Sequence, residues 1–212
     1  MKEIKVKNIS NSIENNSIDK IANLLDTFEK QVLEYVPWPE FSDKPKVVFT
    51  IAHNQSNIFL KYYVEEKNIR AENKIANSPV HEDSCVEFFI SFNEDISYYN
   101  IEFNCIGTGL IAYGPSKYNR QLLESDMVNN LKKKSVIVSE NANATNWELT
   151  LVIPLSTFVH TSFQNLEDIT CRANFYKCGD LLPEPHFISW SNIISSHPNF
   201  HLPQFFGKLV FE

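Results

Sequence analysis

The segment Cys85-Val86-Glu87-Phe88-Phe89-Ile90 sets one carboxylate inside a run of otherwise apolar residues. A second segment, Tyr99-Asn100-Ile101-Glu102-Phe103-Asn104, alternates strictly. In a strand that alternation puts Asn100, Glu102 and Asn104 on one face and Tyr99, Ile101 and Phe103 on the other. If the two strands pair, Glu87 and Glu102 share one exposed sheet face. Carboxylates and amides held on a rigid sheet can accept and exchange hydrogen bonds with sugar hydroxyls. The same two carboxylates could instead serve as a glycosidase pair, one acid and one nucleophile or base. That chemistry needs them to flank a bond at about 5–5.5 or 6.5–9.5 Å. A merely solvated outer face is the third account of the pattern.

Other chemistry-bearing residues are less patterned. Asp83, between Glu82 and Ser84, precedes the Glu87 segment. Such an acidic turn could give calcium some of the several oxygens it requires, or simply cap a turn. The six histidines are scattered and form no HExxH pair, so a zinc hydrolase is poorly supported. There is no GxSxG, P-loop or GxGxxG, and Gly107-Thr108-Gly109 reads as a β-turn. Cys85, Cys105, Cys171 and Cys178 form no CxxC. They read as buried reduced thiols, with a Cys171–Cys178 disulfide as the alternative in an oxidising compartment.

Strands must position these groups. Val47 to Ala52 and Ile58 to Val64 read as a hairpin around Asn54–Asn57. Residues 85–92 and 98–105 form a second pair around Asn93-Glu94-Asp95, and further strands fall at about 108–113, 134–139, 146–153, 170–177, 186–191 and 205–211. Residues 116–133 are polar and partly helical in pattern. Residues 17–36 read as a helix, with Ile18, Ile21, Ala22, Leu25, Phe28, Val32 and Val36 at helical spacing, Asn16 or Ser17 as cap and Pro37 as stop. The absence of a βαβ rhythm predicts an all-β fold, a two-sheet antiparallel β-sandwich. The chain reads as one domain over residues 1–212, with 17–36 as a helical N-terminal appendage.

Composition agrees. The 212 residues include 16 Phe, 8 Tyr and 3 Trp against 2 Met and 5 Gly, which suits half-buried pleated surfaces. A formal charge of −7 disfavours a general nucleic-acid binder, which needs a basic face. No run approaches the roughly 20 apolar residues of a membrane span. Met1 to Ser10 lacks the apolar core of a signal peptide, which points to the cytoplasm. Removal of a leader would instead place the protein in the periplasm or at the surface. Oligomeric state leaves no mark on the sequence.

Several long phrases carry a family resemblance. They are Pro45 to Ala52, Arg70 through Asn77-Ser78-Pro79-Val80-His81-Glu82-Asp83-Ser84-Cys85-Val86-Glu87-Phe88-Phe89-Ile90, Tyr98 to Thr108, Phe175-Tyr176-Lys177-Cys178-Gly179-Asp180, Pro185 to Ser191, and Asn199-Phe200-His201-Leu202-Pro203-Gln204-Phe205-Phe206-Gly207-Lys208-Leu209. As a set they resemble the stand-alone family 9-like carbohydrate-binding proteins of Bacteroidetes, related to xylanase-borne family 9 modules and distantly to DOMON domains. The resemblance implies a β-sandwich that binds a mono- or oligosaccharide without catalysis, in support of glycan capture or breakdown, with loops that calcium can support. It also implies aromatic stacking on a terminal sugar, for which Trp190 is the candidate, with an ordinary core place as its alternative. Trp38 could complete the clamp or plug the helix–sheet junction, whereas Trp147 alternates with Leu149 and Leu151 and reads as core. Arg70, Arg120 and Lys177 fall in or near the family phrases and would donate to hydroxyls or carboxylates. The expected ligand set is therefore Trp190, Arg70, Glu87, Glu102, Asn104, Arg120 and Lys177. A glycoside hydrolase using Glu87 and Glu102 is the alternative function. A DOMON-like haem module is a further one, although Met127 is the single internal Met available as an axial ligand.

Overall fold

A computed structural model describes residues 2–9, 17–92, 96–162 and 164–212. The elements are β1 (Glu3–Asn8), α1 (Ile18–Leu25), β2 (Gln31–Val32), β3 (Lys46–His53), β4 (Asn57–Glu66), β5 (Cys85–Phe92), β6 (Tyr98–Asn104), β7 (Gly109–Ser116), β8 (Asn119–Leu122), α2 (Ser125–Asn130), β9 (Lys132–Glu140), β10 (Thr145–Pro154), β11 (Thr170–Cys178), β12 (Phe187–Ser189) and β13 (Gly207–Phe211). The strands fall into two packed sheets. The first runs β8-β7-β6-β5-β11-β13-β1, with β12 beside the end of β11. The second runs β1-β3-β4-β10-β9, with β2 on β3.

β1 belongs to both sheets. Its Glu3–Val6 half pairs in parallel with Lys208–Phe211, and Lys7 and Asn8 pair in parallel with Ala52 and His53. The sandwich is thus antiparallel throughout its hairpins and parallel at this shared corner. Period-two patterning fills the space between the sheets. Val86, Phe88 and Ile90 of β5 and Ala173 and Phe175 of β11 point inward against Phe49, Tyr62 and Trp147 of the other sheet. Phe175 stacks on Phe49 and Phe88 with ring centroids 3.8 and 4.9 Å away. Each fully buried ring of this kind contributes about 1.5–3 kcal/mol by leaving water.

The outer face of the first sheet is also covered, which is why β5 and β6 are buried at every residue. Phe89, Tyr98, Leu110 and Tyr176 lie there under a layer from Trp38 and residues 193–206. A strand buried on both faces reads as a continuous apolar run, so the polar Glu87 and Glu102 stand out all the more.

The expected helix over 17–36 is shorter. It spans Ile18–Leu25, capped by Ser17 Oγ, which accepts from the Lys20 N–H at 3.4 Å; Asn16 lies outside the described residues. Ile21 and Leu25 pack on Phe59 and Val152 of the second sheet, so the helix is a cover for that sheet. Beyond it, Gln31 and Val32 pair with β3, and Leu33 N–H donates to Val47 O at 3.0 Å. Leu33 is buried and Val32 is exposed, the reverse of what a continued helix requires. An open backbone edge on β3 outweighs the helical spacing, because tertiary pairing overrides local propensity. The 116–133 segment divides into strand β8 and helix α2, where Met127 packs against the core. The Asn54–Asn57 turn closes its hairpin with Gln55 at φ 62°, whereas the 93–95 turn lies outside the described residues. Among the described residues no helix is long and apolar enough to cross a membrane.

Candidate functional site

Strands β5 and β6 pair in the register that sets Glu87 directly opposite Glu102. Both lie on the outer face, as alternation predicts, yet they are 4% and 2% exposed because the covering layer roofs most of that face. The roof is incomplete above the ends of β5, β6 and β11, and a cleft opens there. Its floor holds Glu87, Glu102 and Cys178. A single 3-10 turn at Val80–Glu82 brings His81 to one side, and the β7–β8 hairpin brings Arg120 to another. Asp180 follows β11, and Asn199, Phe200 and His201 come from the covering segment.

Hydrogen bonds fix the floor. Glu102 Oε1 accepts from Asn100 Nδ2 at 2.8 Å and from Arg120 at 3.2 Å. Its second oxygen, Oε2, is buried without a hydrogen-bond donor among the described residues, with His81 Nδ1 3.9 Å away. Cys178 donates its S–H to Glu87 Oε1 at 3.0 Å. Burial, reinforced by the charge of Glu102, holds the Glu87 carboxyl well above the usual carboxylate range, against the opposing bond from Cys178. Asp180 is also raised by burial, with His81 and Lys117 opposing. Burial and the nearby positive charges of Arg120 and Lys117 push His201 down to about 3. Its neutral ring shares a hydrogen bond between Nδ1 and the Tyr98 hydroxyl at 2.8 Å. The cleft thus combines an Arg–Glu salt bridge, a high-pKa carboxyl, a neutral imidazole and an amide, with Phe187 and Phe200 as its apolar wall. Trp38 backs both rings, at centroid distances of 5.9 and 5.8 Å, and its indole N–H donates to Ser195 O at 3.0 Å.

Of the seven expected ligand residues, the structure brings Glu87, Glu102 and Arg120 together in this cleft. The other four lie elsewhere, each for a definable reason. Arg70 pairs with Asp83, whose carboxylate also accepts from the backbone N–H groups of Glu72 and Asn73 at 3.1 and 2.9 Å. Asn104 completes that cluster by donating to Asp83 Oδ2 at 2.9 Å and to Asn73 O at 2.8 Å. Both oxygens of Asp83 are thereby engaged, so the acidic turn clamps the 70–73 segment instead of offering calcium a free carboxylate.

Lys177 points the other way. It continues the inward series Ala173-Phe175 and is fully buried between the sheets, 2.9 Å from Glu66 Oε2. Trp190 is 1% exposed in the inter-sheet core, edge-on to Phe49 and Phe175. It is a core tryptophan, not a stacking platform on the surface. Trp147 is likewise in the core, as expected, and Trp38 is 2% exposed, so the apolar surface of the cleft comes from phenylalanines. The four cysteines are free and buried. Cys171 faces the inner core and Cys178 the outer face, so β11 holds the proposed Cys171–Cys178 disulfide partners on opposite sides.

Sequence patterning did not single out His81, Asp180, Asn199, Phe200 or His201. The available signal was the cluster Asn199-Phe200-His201 just after Pro198, polar groups interleaved with an aromatic outside any strand pattern.

The solved structures most informative for this architecture share it over the whole chain. A candidate carbohydrate-binding protein from Bacteroides uniformis ATCC 8492 is 40% identical, covers 100% of this chain and 99% of its own, and superposes with a TM-score of 0.92. A family 9 carbohydrate-binding module from Caldicellulosiruptor kristjanssonii in complex with glucose is 14% identical, with a TM-score of 0.61 and coverage of 100% of this chain and 96% of its own. In complex with cellotriose, a family 9 module from the same organism aligns at 11% identity and a TM-score of 0.60, covering 100% of this chain and 94% of its own. These distant modules share the fold. No curated protein matches the chain. The model of carbohydrate-binding family 9 matches residues 19–211, and the chain belongs to that family.

Proposed function

We propose that the cleft over Glu87 and Glu102 holds the end of a saccharide, without cleaving it, and that the protein serves glycan capture. The observation that carries this reading is Glu102 Oε2, a buried carboxylate oxygen of a cleft-lining residue that lacks a donor among the described residues. A buried acceptor left unmade costs about 1–3 kcal/mol, and a hydroxyl from a bound sugar satisfies it. Arg120 and Asn199 supply donors at the same site, and Phe187 and Phe200 offer apolar carbon to the C–H faces of a pyranose. The solved family 9 modules bound to glucose and cellotriose support the same ligand class.

The carboxylate arrangement favours holding over hydrolysis. Glu87 and Glu102 are direct cross-strand partners, so their Cβ atoms are about 4.5–5.5 Å apart and rise side by side from one floor. A glycosidase pair must instead flank the scissile bond. Calorimetry of the wild-type protein against glucose, cello-oligosaccharides and a wider glycan panel tests the proposal. Saturable heat without release of new reducing ends is the expected result. A folded protein that gives no heat with any member of the panel removes the reading.

A further inference from the structure

Two thiols stand beside Glu87 at the floor of the cleft, and saccharide binding leaves both sulfurs unused. Cys85 and Cys178 are directly opposite each other across β5 and β11, and Glu87 is two residues along β5 from Cys85, on the same face. All three are buried. Their two sulfurs and one carboxylate oxygen lie within 4.8 Å of one another, and Cys178 Sγ is 3.0 Å from Glu87 Oε1. A tetrahedral zinc ion, with bonds of about 2.3 Å to sulfur and about 2.1 Å to oxygen, sets S···S near about 3.8 Å and S···O near about 3.6 Å. With all three atoms within 4.8 Å of one another, those separations are within reach of side-chain rotation on a backbone locked in the sheet.

We propose that Cys85 Sγ, Cys178 Sγ and one oxygen of Glu87 form a binding site for a zinc-class divalent cation. Glu87 and Cys178 also line the cleft, so the fourth position opens into it and takes water. Two thiolates exclude calcium, which takes six to eight oxygens, and the carboxylate favours zinc over copper(I). On binding, the S–H protons of both cysteines and the proton of the Glu87 carboxyl pass to solvent, and two sulfur–metal bonds and one oxygen–metal bond form in their place. Competing partners within the site are weak: Cys85 Sγ lies 3.6 Å from Val86 O, and Cys178 Sγ 3.6 Å from His81 O. Among the described residues, neither Cys105 nor Cys171 joins such a group. The site stands whether or not the cleft takes a saccharide.

Cobalt(II) titration of the full, reduced chain tests it. Thiolate-to-cobalt charge-transfer absorption, with the strong visible bands of a tetrahedral ion, should saturate at one equivalent and vanish on adding zinc. Cys85→Ser and Cys178→Ser should each abolish it, whereas Cys105→Ser and Cys171→Ser should leave it intact. Glu87→Gln, which keeps the thiols, should weaken cobalt binding at least about tenfold, a 1.4 kcal/mol change. That arm keeps the test decisive if a serine variant fails to fold. No charge-transfer band in a protein with four titratable thiols overturns the proposal. So does a band that survives loss of both Cys85 and Cys178, or an affinity indifferent to Glu87→Gln.

Discussion

Replacing Lys177 by Met separates a structural cation from a ligand-binding one. Lys177 Nζ is fully buried and donates to Cys178 O and to His186 Nε2, each at 2.8 Å. Glu66 Oε2 lies 2.9 Å away but off the hydrogen-bonding axis, so charge alone ties it to the ammonium, while Oε1 accepts from the Trp147 indole N–H at 2.6 Å. Burial and the adjacent Lys177 charge push His186 down to about 2, so its neutral ring accepts at Nε2 and turns Nδ1–H toward Asp43 Oδ2 at 3.1 Å. Methionine fills similar volume but leaves a carboxylate 3% exposed with a single indole donor and no counter-charge. Breaking a buried pair from one side costs about 3–5 kcal/mol. For a chain of this size that lowers Tm by about 6–20 °C, at 2–4 °C per kcal/mol. Adding Glu66→Gln removes the stranded charge, so the double variant should recover much of the loss. Denaturant unfolding of both single variants and the double variant measures the cycle, and calorimetry with a bound saccharide gives Kd alongside. Lys177→Met should shift stability and leave Kd within about twofold. A variant as stable as wild type that binds sugar poorly refutes the interior assignment.

Three further outcomes follow from the same structure. Glu102→Gln keeps the shape but makes the cleft acceptor neutral, and a charged hydrogen bond is worth about 1–2 kcal/mol more than a neutral one. Saccharide affinity by calorimetry should therefore fall about 5–30-fold. Trp190→Ala should cost about 3–5 kcal/mol by opening a cavity against Phe49 and Phe175, read by denaturant unfolding; a selective loss of sugar binding at full stability contradicts its core placement. His201 has a folded-state pKa of about 3 against about 6.5 when unfolded, so the unfolded chain binds more protons between those values and stability falls on acidification through that window. At 1.36 kcal/mol per pH unit, the His201 contribution lost from pH 6.5 to about pH 5 is about 2 kcal/mol. A His201→Gln variant should show a correspondingly flatter acid limb in stability-against-pH curves.

Local chemistry determined much of this protein. Strict alternation in 99–104 and the lone acid in 85–90 placed Glu87 and Glu102 on one sheet face, and pairing made them direct neighbours. A period of two states which side chains share a face, because successive Cβ atoms alternate, and it says nothing about what covers that face. Tertiary structure decided that. Residues 193–206 and Trp38 roof much of the outer face, converting an expected exposed platform into a buried floor that opens at the cleft. Parity likewise placed Lys177 with Ala173 and Phe175, but only the second sheet supplies Glu66, the partner that lets a lysine sit in the core. Trp190, Arg70 and Asn104 carry groups equally able to serve ligand or fold. Which role each takes was settled by residues distant in sequence: Phe49 beside Trp190, and Asp83 between Arg70 and Asn104. The helix expected over 17–36 met the same limit, since an edge strand brought near by the fold claimed the backbone from Gln31 onward.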